Sequence, residues 1–137
     1  MAYATINPYT GETLKTFPEA TDQEVQTALT EAYDAFKSWR HTPFAERAKI
    51  MTAAANILRR DIDKYSKLLT LEMGKIYAEA KAETILSAEI FEYYAKNAEE
   101  LLKAEKLPVA DPKEGEAVLI HQPQGIVVAL EPWNVPF

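Results

Sequence analysis

Cysteine is absent from this 137-residue chain, which excludes disulfides, thiolate zinc sites and a cysteine nucleophile within these residues. Histidine is nearly absent: with only His41 and His121, no metal cluster can be built without help from elsewhere. Long basic blocks are missing as well. The longest is the pair Arg59-Arg60, and the formal net charge is −6 from 15 basic and 21 acidic residues. A phosphate-tracking surface is therefore not expected, nor is nucleic acid as a partner. No apolar run approaches the ~18 residues that span a bilayer. The first five residues show neither a basic nor an apolar leader region, giving the expectation of a cytoplasmic protein with no membrane partner. Glycine is limited to Gly11, Gly74, Gly115 and Gly125, so a G-x-G-x-x-G dinucleotide fingerprint cannot be assembled. Repeats and low-complexity segments are also lacking. What remains is 47% hydrophobic, ample for the core of one domain.

The chain is organised around its last stretch, 124–137. Gly125 opens the apolar run 126–130 with two adjacent valines, which predicts a strand buried on both faces, as in a parallel sheet covered by helices. Pro132 removes a backbone donor, so the ladder should stop near Glu131. In an open α/β sheet, ligands bind just beyond the carboxyl ends of strands. Here that ground holds Trp133 and Asn134 between Pro132 and Pro136. As bare sequence, the segment is also readable as a rigid turn with a core tryptophan.

Ahead of it the chain is mostly helical. Residues 4–17 read as a hairpin around the turn chemistry of Asn7-Pro8-Tyr9-Thr10-Gly11-Glu12. Thr21-Asp22-Gln23-Glu24 is a capping box, followed by an apolar face at Val25, Leu29, Ala32, Phe36 and Trp39. Trp39 is expected in the core rather than as a ligand platform. Thr42-Pro43 should begin the next helix, with Pro43 at its first position. The helical stripe runs through Met51, Ala55 and Leu58 to a kink or fresh start at 61–63, then on to Gly74 as the C-terminal cap with Lys75 against the helix dipole. The order Leu71-Glu72-Met73-Gly74-Lys75 is not a phosphate loop, because Leu69 and Ile76 stand where that motif needs glycine and a hydroxyl. From Ile76 to about Lys103 a long helix is predicted, with Leu86 and Ile90 among its apolar positions. Its carboxylate pairs, Glu79 with Glu83 and Glu89 with Glu92, share faces with interleaved lysines and read as a solvated stripe rather than an acid/base pair. Residues 107–115 read as a linker, and 116–122 as a strand in which His121 packs or bonds locally.

Three motifs carry a family resemblance over the whole chain. The opening 6–12 resembles I-N-P-x-T-G-E, residues 71–75 resemble L-E-x-G-K, and the end, G-I-V followed by P-W-N-x-P-F, resembles the signature closing the first quarter of NAD(P)-dependent aldehyde dehydrogenases. Glu131 before Pro132 resembles the succinate-semialdehyde dehydrogenase branch. Ile76 departs from the proline that usually follows Lys75, leaving that helix boundary open.

The resemblance implies the fold class: α/β, the helix-rich amino-terminal part of a Rossmann-like nucleotide-binding domain, with an N-terminal hairpin and one strand of the oligomerisation sheet. Residues 1–115 would be the hairpin and helical part, 116–123 the strand toward that sheet, and 124–137 the first strand and catalytic-loop start, the catalytic domain lying outside the chain. Asn134 would be the catalytic oxyanion donor. Pro132, Trp133 and Asn134 would line the site of NADP or NAD, and Val135 and Leu86 would face the substrate, with Ile90 beside Leu86 at its entrance. The implied activity is oxidation of a small aldehyde to its acid through a cysteine thioester formed beyond Phe137. Succinate semialdehyde comes first as substrate, and a phosphorylated or betaine-type aldehyde second. A homo-oligomer, dimer or tetramer, would form through 116–122, and no metal is expected. These residues alone should turn over no aldehyde. The alternative is a truncated, non-catalytic helical module that docks on another subunit. An end at Phe137, with the strand 126–130 half paired, favours an enzyme's amino-terminal portion.

Overall fold

The computed structural model describes residues 3–111, 113 and 115–137. Strands β1 (Tyr3–Ile6) and β2 (Thr13–Phe17) form the expected antiparallel hairpin, with Tyr3 opposite Phe17 and a register shift between Thr5 and Ile6. The Asn7 side chain accepts from the Tyr9 amide at 2.9 Å, and the Asn7 amide donates to the Glu12 carbonyl at 2.8 Å. The turn thus satisfies its own polar groups.

Helix α1 (Asp22–Trp39) starts at the capping box. The Glu24 amide donates to the Thr21 hydroxyl at 3.2 Å, and the Thr21 amide donates to the Glu24 carboxylate at 2.7 Å. That backbone bond is the first cause holding the Glu24 carboxyl below its usual range. Helix α2 (Phe44–Arg60) follows Pro43, which sits at the cap, one position earlier than expected. Asp61 then leaves helical geometry at φ −104° and ψ 26°, so the kink is a true break, and α3 (Ile62–Met73) begins afresh. Gly74 caps α3 at φ +76°, a left-handed conformation that glycine adopts without strain. Helix α4 (Tyr77–Leu101) has 25 residues, about 38 Å of rod at 1.5 Å per residue.

Helices α2, α3 and α4 make the core. Its buried members are Ala55, Leu58, Leu69, Ala80 and Ala88, with Ser66, Glu83, Thr84 and Ser87 beside them. On α4 the buried residues fall at i, i+3, i+4, i+7 and i+8 from Ala80, one face of a helix. All but Glu83 are small, so the neighbouring helices can approach closely. The buried hydroxyls of Thr84 and Ser66 each donate to the carbonyl four residues earlier, at 2.9 and 2.7 Å. Left unpaired there, each would be costly. Two polar ties cross the outside of the bundle. Arg59 donates from Nε and Nη2 to the two Glu92 carboxylate oxygens at 2.7 and 2.8 Å, joining α2 to α4. Asp63 takes Lys81 at 2.7 Å and the Tyr77 hydroxyl at 2.7 Å, joining α3 to α4.

Several expectations are corrected. Trp39 is 46% exposed and α1 has no buried residue; helical periodicity names the face that seeks cover, not what covers it. The run 126–130 forms no ladder among the described residues, and Val127, Val128 and Leu130 are 83, 75 and 91% exposed. Its composition asks for flanking strands. The linker reading of 107–115 began one residue too early and missed the strand before it. Glu105–Leu107 is strand β3, paired antiparallel with β4 (Ala117–Leu119), which is shorter than the expected 116–122. His121 lies exposed beyond the end of β4. The stripe holding Glu79 and Glu83 is not wholly solvated, because Glu83 is buried against Lys75. Lys75 accordingly turns toward α4 instead of the end of α3.

Candidate functional site

The turn at 133–134 sits on the seam between α3 and α4, placed there by contacts from residues far apart in the chain. The Gly74 cap sends Lys75 across to Glu83, with which it forms an ion pair. Lys75 Nζ also donates to the Asn134 carbonyl at 3.1 Å. The second Glu83 oxygen accepts from the Phe137 amide at 3.2 Å. Ser87 Oγ lies 3.1 Å from the Phe137 carbonyl and 3.0 Å from the Glu83 carbonyl; its single proton serves one of them at a time. The Phe137 ring meets Tyr65 edge-on, with centroids 5.4 Å apart and planes at 76°, the arrangement that ring quadrupoles favour.

The ion pair under the turn is largely dry, with 16% of the Lys75 side chain and 6% of the Glu83 side chain exposed. Paired and hydrogen-bonded, two such charges are tolerated. Removing one of them leaves the other stranded, at a cost of about 3–5 kcal/mol.

Pro132, Trp133, Asn134 and Val135 are brought together on this one turn. Trp133 is 79% exposed, and with Phe137 it borders a groove between β1 and α3 floored by Leu69 and Met73. The reading of Trp133 as a core residue does not hold for the described residues. The Asn134 side chain is exposed while its backbone carbonyl is held. An amide so placed can donate to an oxygen on a bound molecule without changing its own protonation. Leu86 is not brought to the turn: one residue from Ser87 is about 100° around the helix, and Leu86 is 51% exposed on that outer side. Ile90 is likewise 48% exposed.

Sequence reasoning missed Lys75, Glu83 and Ser87 as a group. A signal was present in the spacing Ala80, Glu83, Thr84, Ser87, Ala88, where an acidic residue falls within the face of small residues that packs inward. Among the described residues no group of three or more His, Cys, Asp or Glu is placed to hold a metal, and no helix is long and apolar enough to cross a membrane.

A family model described as the aldehyde dehydrogenase family matches residues 1–137. A succinate-semialdehyde dehydrogenase (NADP+) of Mycobacterium avium (strain 104) is 46% identical over 137 residues, covering 99% of this chain and 29% of that protein. Its namesake in Deinococcus radiodurans is 42% identical over 134 residues, covering 98% and 28%. The crystal structure of succinic semialdehyde dehydrogenase from Streptococcus pyogenes, in complex with NADP+ as the cofactor, superposes with a TM-score of 0.91 at 43% identity, covering 98% of this chain and 29% of that one. The chain therefore spans a little under a third of the length of these relatives. The α/β, helix-rich fold expected of the amino-terminal part of a Rossmann-like domain is the fold observed, with its hairpin and four helices. By sequence over its whole length and by structure, the chain belongs to the aldehyde dehydrogenase family.

Proposed function

We propose that these residues are the amino-terminal portion of a cytoplasmic, NAD(P)-dependent aldehyde dehydrogenase that oxidises succinate semialdehyde to its acid. The observation that carries the reading is the 43% identity and TM-score of 0.91 to the Streptococcus pyogenes enzyme over nearly the whole chain. In this account a cysteine beyond Phe137 attacks the aldehyde carbon, placing negative charge on the former carbonyl oxygen. The Asn134 amide donates to that oxygen. A neutral donor fixed in place beforehand needs no reorganisation when the charge develops, which is the largest single contribution in many such sites. Loss of a hydride from that carbon, which a bound nicotinamide would accept, turns the adduct into a thioester, and its hydrolysis releases the acid.

The described residues fit one end of a nicotinamide dinucleotide. Trp133 offers an open indole face and Asn134 an open amide. Lys75, the cation at this turn, is committed to Glu83 and to the Asn134 carbonyl, so it offers the phosphates nothing. Pro132, Trp133 and Asn134 would hold the nicotinamide side, and the group when bound supplies the hydride acceptor. Val135 is proposed to face the aldehyde at the turn, and Leu86 to line its entrance from the outer side of α4. Homo-oligomerisation is proposed through 116–122, where Ile120 beside β4 is 60% exposed.

Initial rates of NADP+ or NAD+ reduction by the full-length protein, with succinate semialdehyde as substrate, test the proposal. Dependence of the rate on both aldehyde and nucleotide is expected. A protein that reduces neither nucleotide with any small aldehyde contradicts the proposal and favours the docking-module alternative. The isolated 137 residues are expected to be inactive and to bind neither nucleotide, and micromolar binding by calorimetric titration would contradict that.

A further inference from the structure

An oxyanion donor must point one way, and Pro132 and Pro136 alone do not secure this. They fix φ at two positions but leave the turn free to swing as a body. What opposes the swing is the polar knot beneath it. Lys75 holds the Asn134 carbonyl at 3.1 Å, Glu83 holds the Phe137 amide at 3.2 Å, and the Ser87 hydroxyl lies 3.1 Å from the Phe137 carbonyl. Both ends of 134–137 are thus gripped by side chains that an ion pair locks together. The surrounding face of α4, Ala80, Thr84 and Ala88, is packed by small residues and has no packing need for a carboxylate. A buried ion pair is seldom more stabilising than apolar side chains of the same size. Stability therefore does not account for Glu83, whereas the two backbone groups held by the pair do.

We infer that Glu83, paired with Lys75, is a positioning residue for the oxidation: it clamps the backbone of 134–137 and so fixes the direction of the Asn134 amide. This rests on the reading of Asn134 as the oxyanion donor. The clamp does not touch substrate, so its removal should lower kcat with little change in KM.

The test uses the full-length protein and three variants. Lys75→Met combined with Glu83→Leu removes both charges, which keeps the fold because neither is left stranded. Glu83→Gln keeps the shape and one acceptor. Ser87→Ala removes a single hydrogen bond. The apolar pair is expected to retain the wild-type melting temperature within a few degrees yet lose about tenfold or more in kcat, with KM within about twofold. Glu83→Gln should lose less, and Ser87→Ala least. On an Asn134→Ala background none of the three should lower kcat further, because the group they position is gone. A wild-type kcat in whichever variants stay folded overturns the inference, as does an undiminished loss on the Asn134→Ala background. The failure of the underlying reading is separable from this. If Asn134→Ala alone retains wild-type kcat, Asn134 is not the donor, and hydrogen exchange at the Phe137 amide then judges the clamp. About tenfold faster exchange in the apolar pair is expected, and unchanged exchange refutes it.

Discussion

Replacing Gly74 by alanine should destabilise the fold from two directions at once. Gly74 ends α3 at φ +76° and ψ 15°, its amide donating to the Thr70 carbonyl at 3.0 Å. An L residue with a Cβ costs about 1–2 kcal/mol in this left-handed conformation. The added Cβ would also stand 2.9 Å from Pro8 Cγ in the hairpin turn. That distance is inside contact, and a proline ring cannot rotate away, so the hairpin or the end of α3 must shift, for about 1–3 kcal/mol. The total is about 2–5 kcal/mol. Equilibrium urea unfolding measures it as a lower midpoint at unchanged slope. A double-mutant cycle then divides the two causes. In a Pro8→Ala background the steric part is relieved, and Gly74→Ala should cost only the conformational ~1–2 kcal/mol. A loss under about 0.5 kcal/mol, or an equal loss in both backgrounds, would refute the reasoning. Because this turn aims Lys75 at Glu83, the same substitution should also loosen 134–137.

Other outcomes follow from the core and its ties. Leu69→Ala, at a side chain 3% exposed, should cost about 2–5 kcal/mol in urea unfolding, whereas Leu86→Ala, 51% exposed, should stay within about 0.5 kcal/mol. Thr21→Ala removes the acceptor of the α1 cap and should cost about 1 kcal/mol; no loss would mean that α1 contributes nothing to the measured transition. The hydrogen bonds from Arg59 hold the Glu92 carboxyl below its usual range. The unfolded chain therefore takes up this proton first on acidification. The stabilisation is full above the ordinary glutamate range and is lost as pH falls through the depressed folded value. Glu92→Gln should flatten that part of the acid limb in a stability-against-pH series, and an unchanged slope would contradict the assignment.

What the sequence made legible was local. The capping box at Thr21 and Glu24, the break at Asp61 and the glycine cap at Gly74 are written in side chains within three or four residues of where they act, and each is found in place. The hairpin turn around Asn7 and Gly11 is of the same kind. What stayed hidden depends on partners distant in the chain. Nothing in Glu105-Lys106-Leu107 announces a strand until β4 lies beside it. Trp39 and the valines of 126–130 advertise a wish for cover that the described residues do not supply. Of the candidate site, Pro132 to Val135 were legible as one rigid turn. The contacts holding the turn were not, because Lys75, Glu83 and Phe137 meet only once α3, α4 and the end of the chain are folded together. Glu83 looked like one carboxylate among several on a charged helix. Only the small residues flanking it at helical spacing distinguish it.

The measurement that bears most directly on the central claim is kcat for succinate semialdehyde oxidation by the full-length protein carrying Asn134→Ala. Loss of one oxyanion donor is expected to lower kcat about 10²–10³-fold, with KM little changed and the melting temperature kept, since the Asn134 carbonyl, and not its side chain, holds Lys75. A variant that turns over at the wild-type rate would contradict the assignment of the 133–134 turn as the oxyanion site.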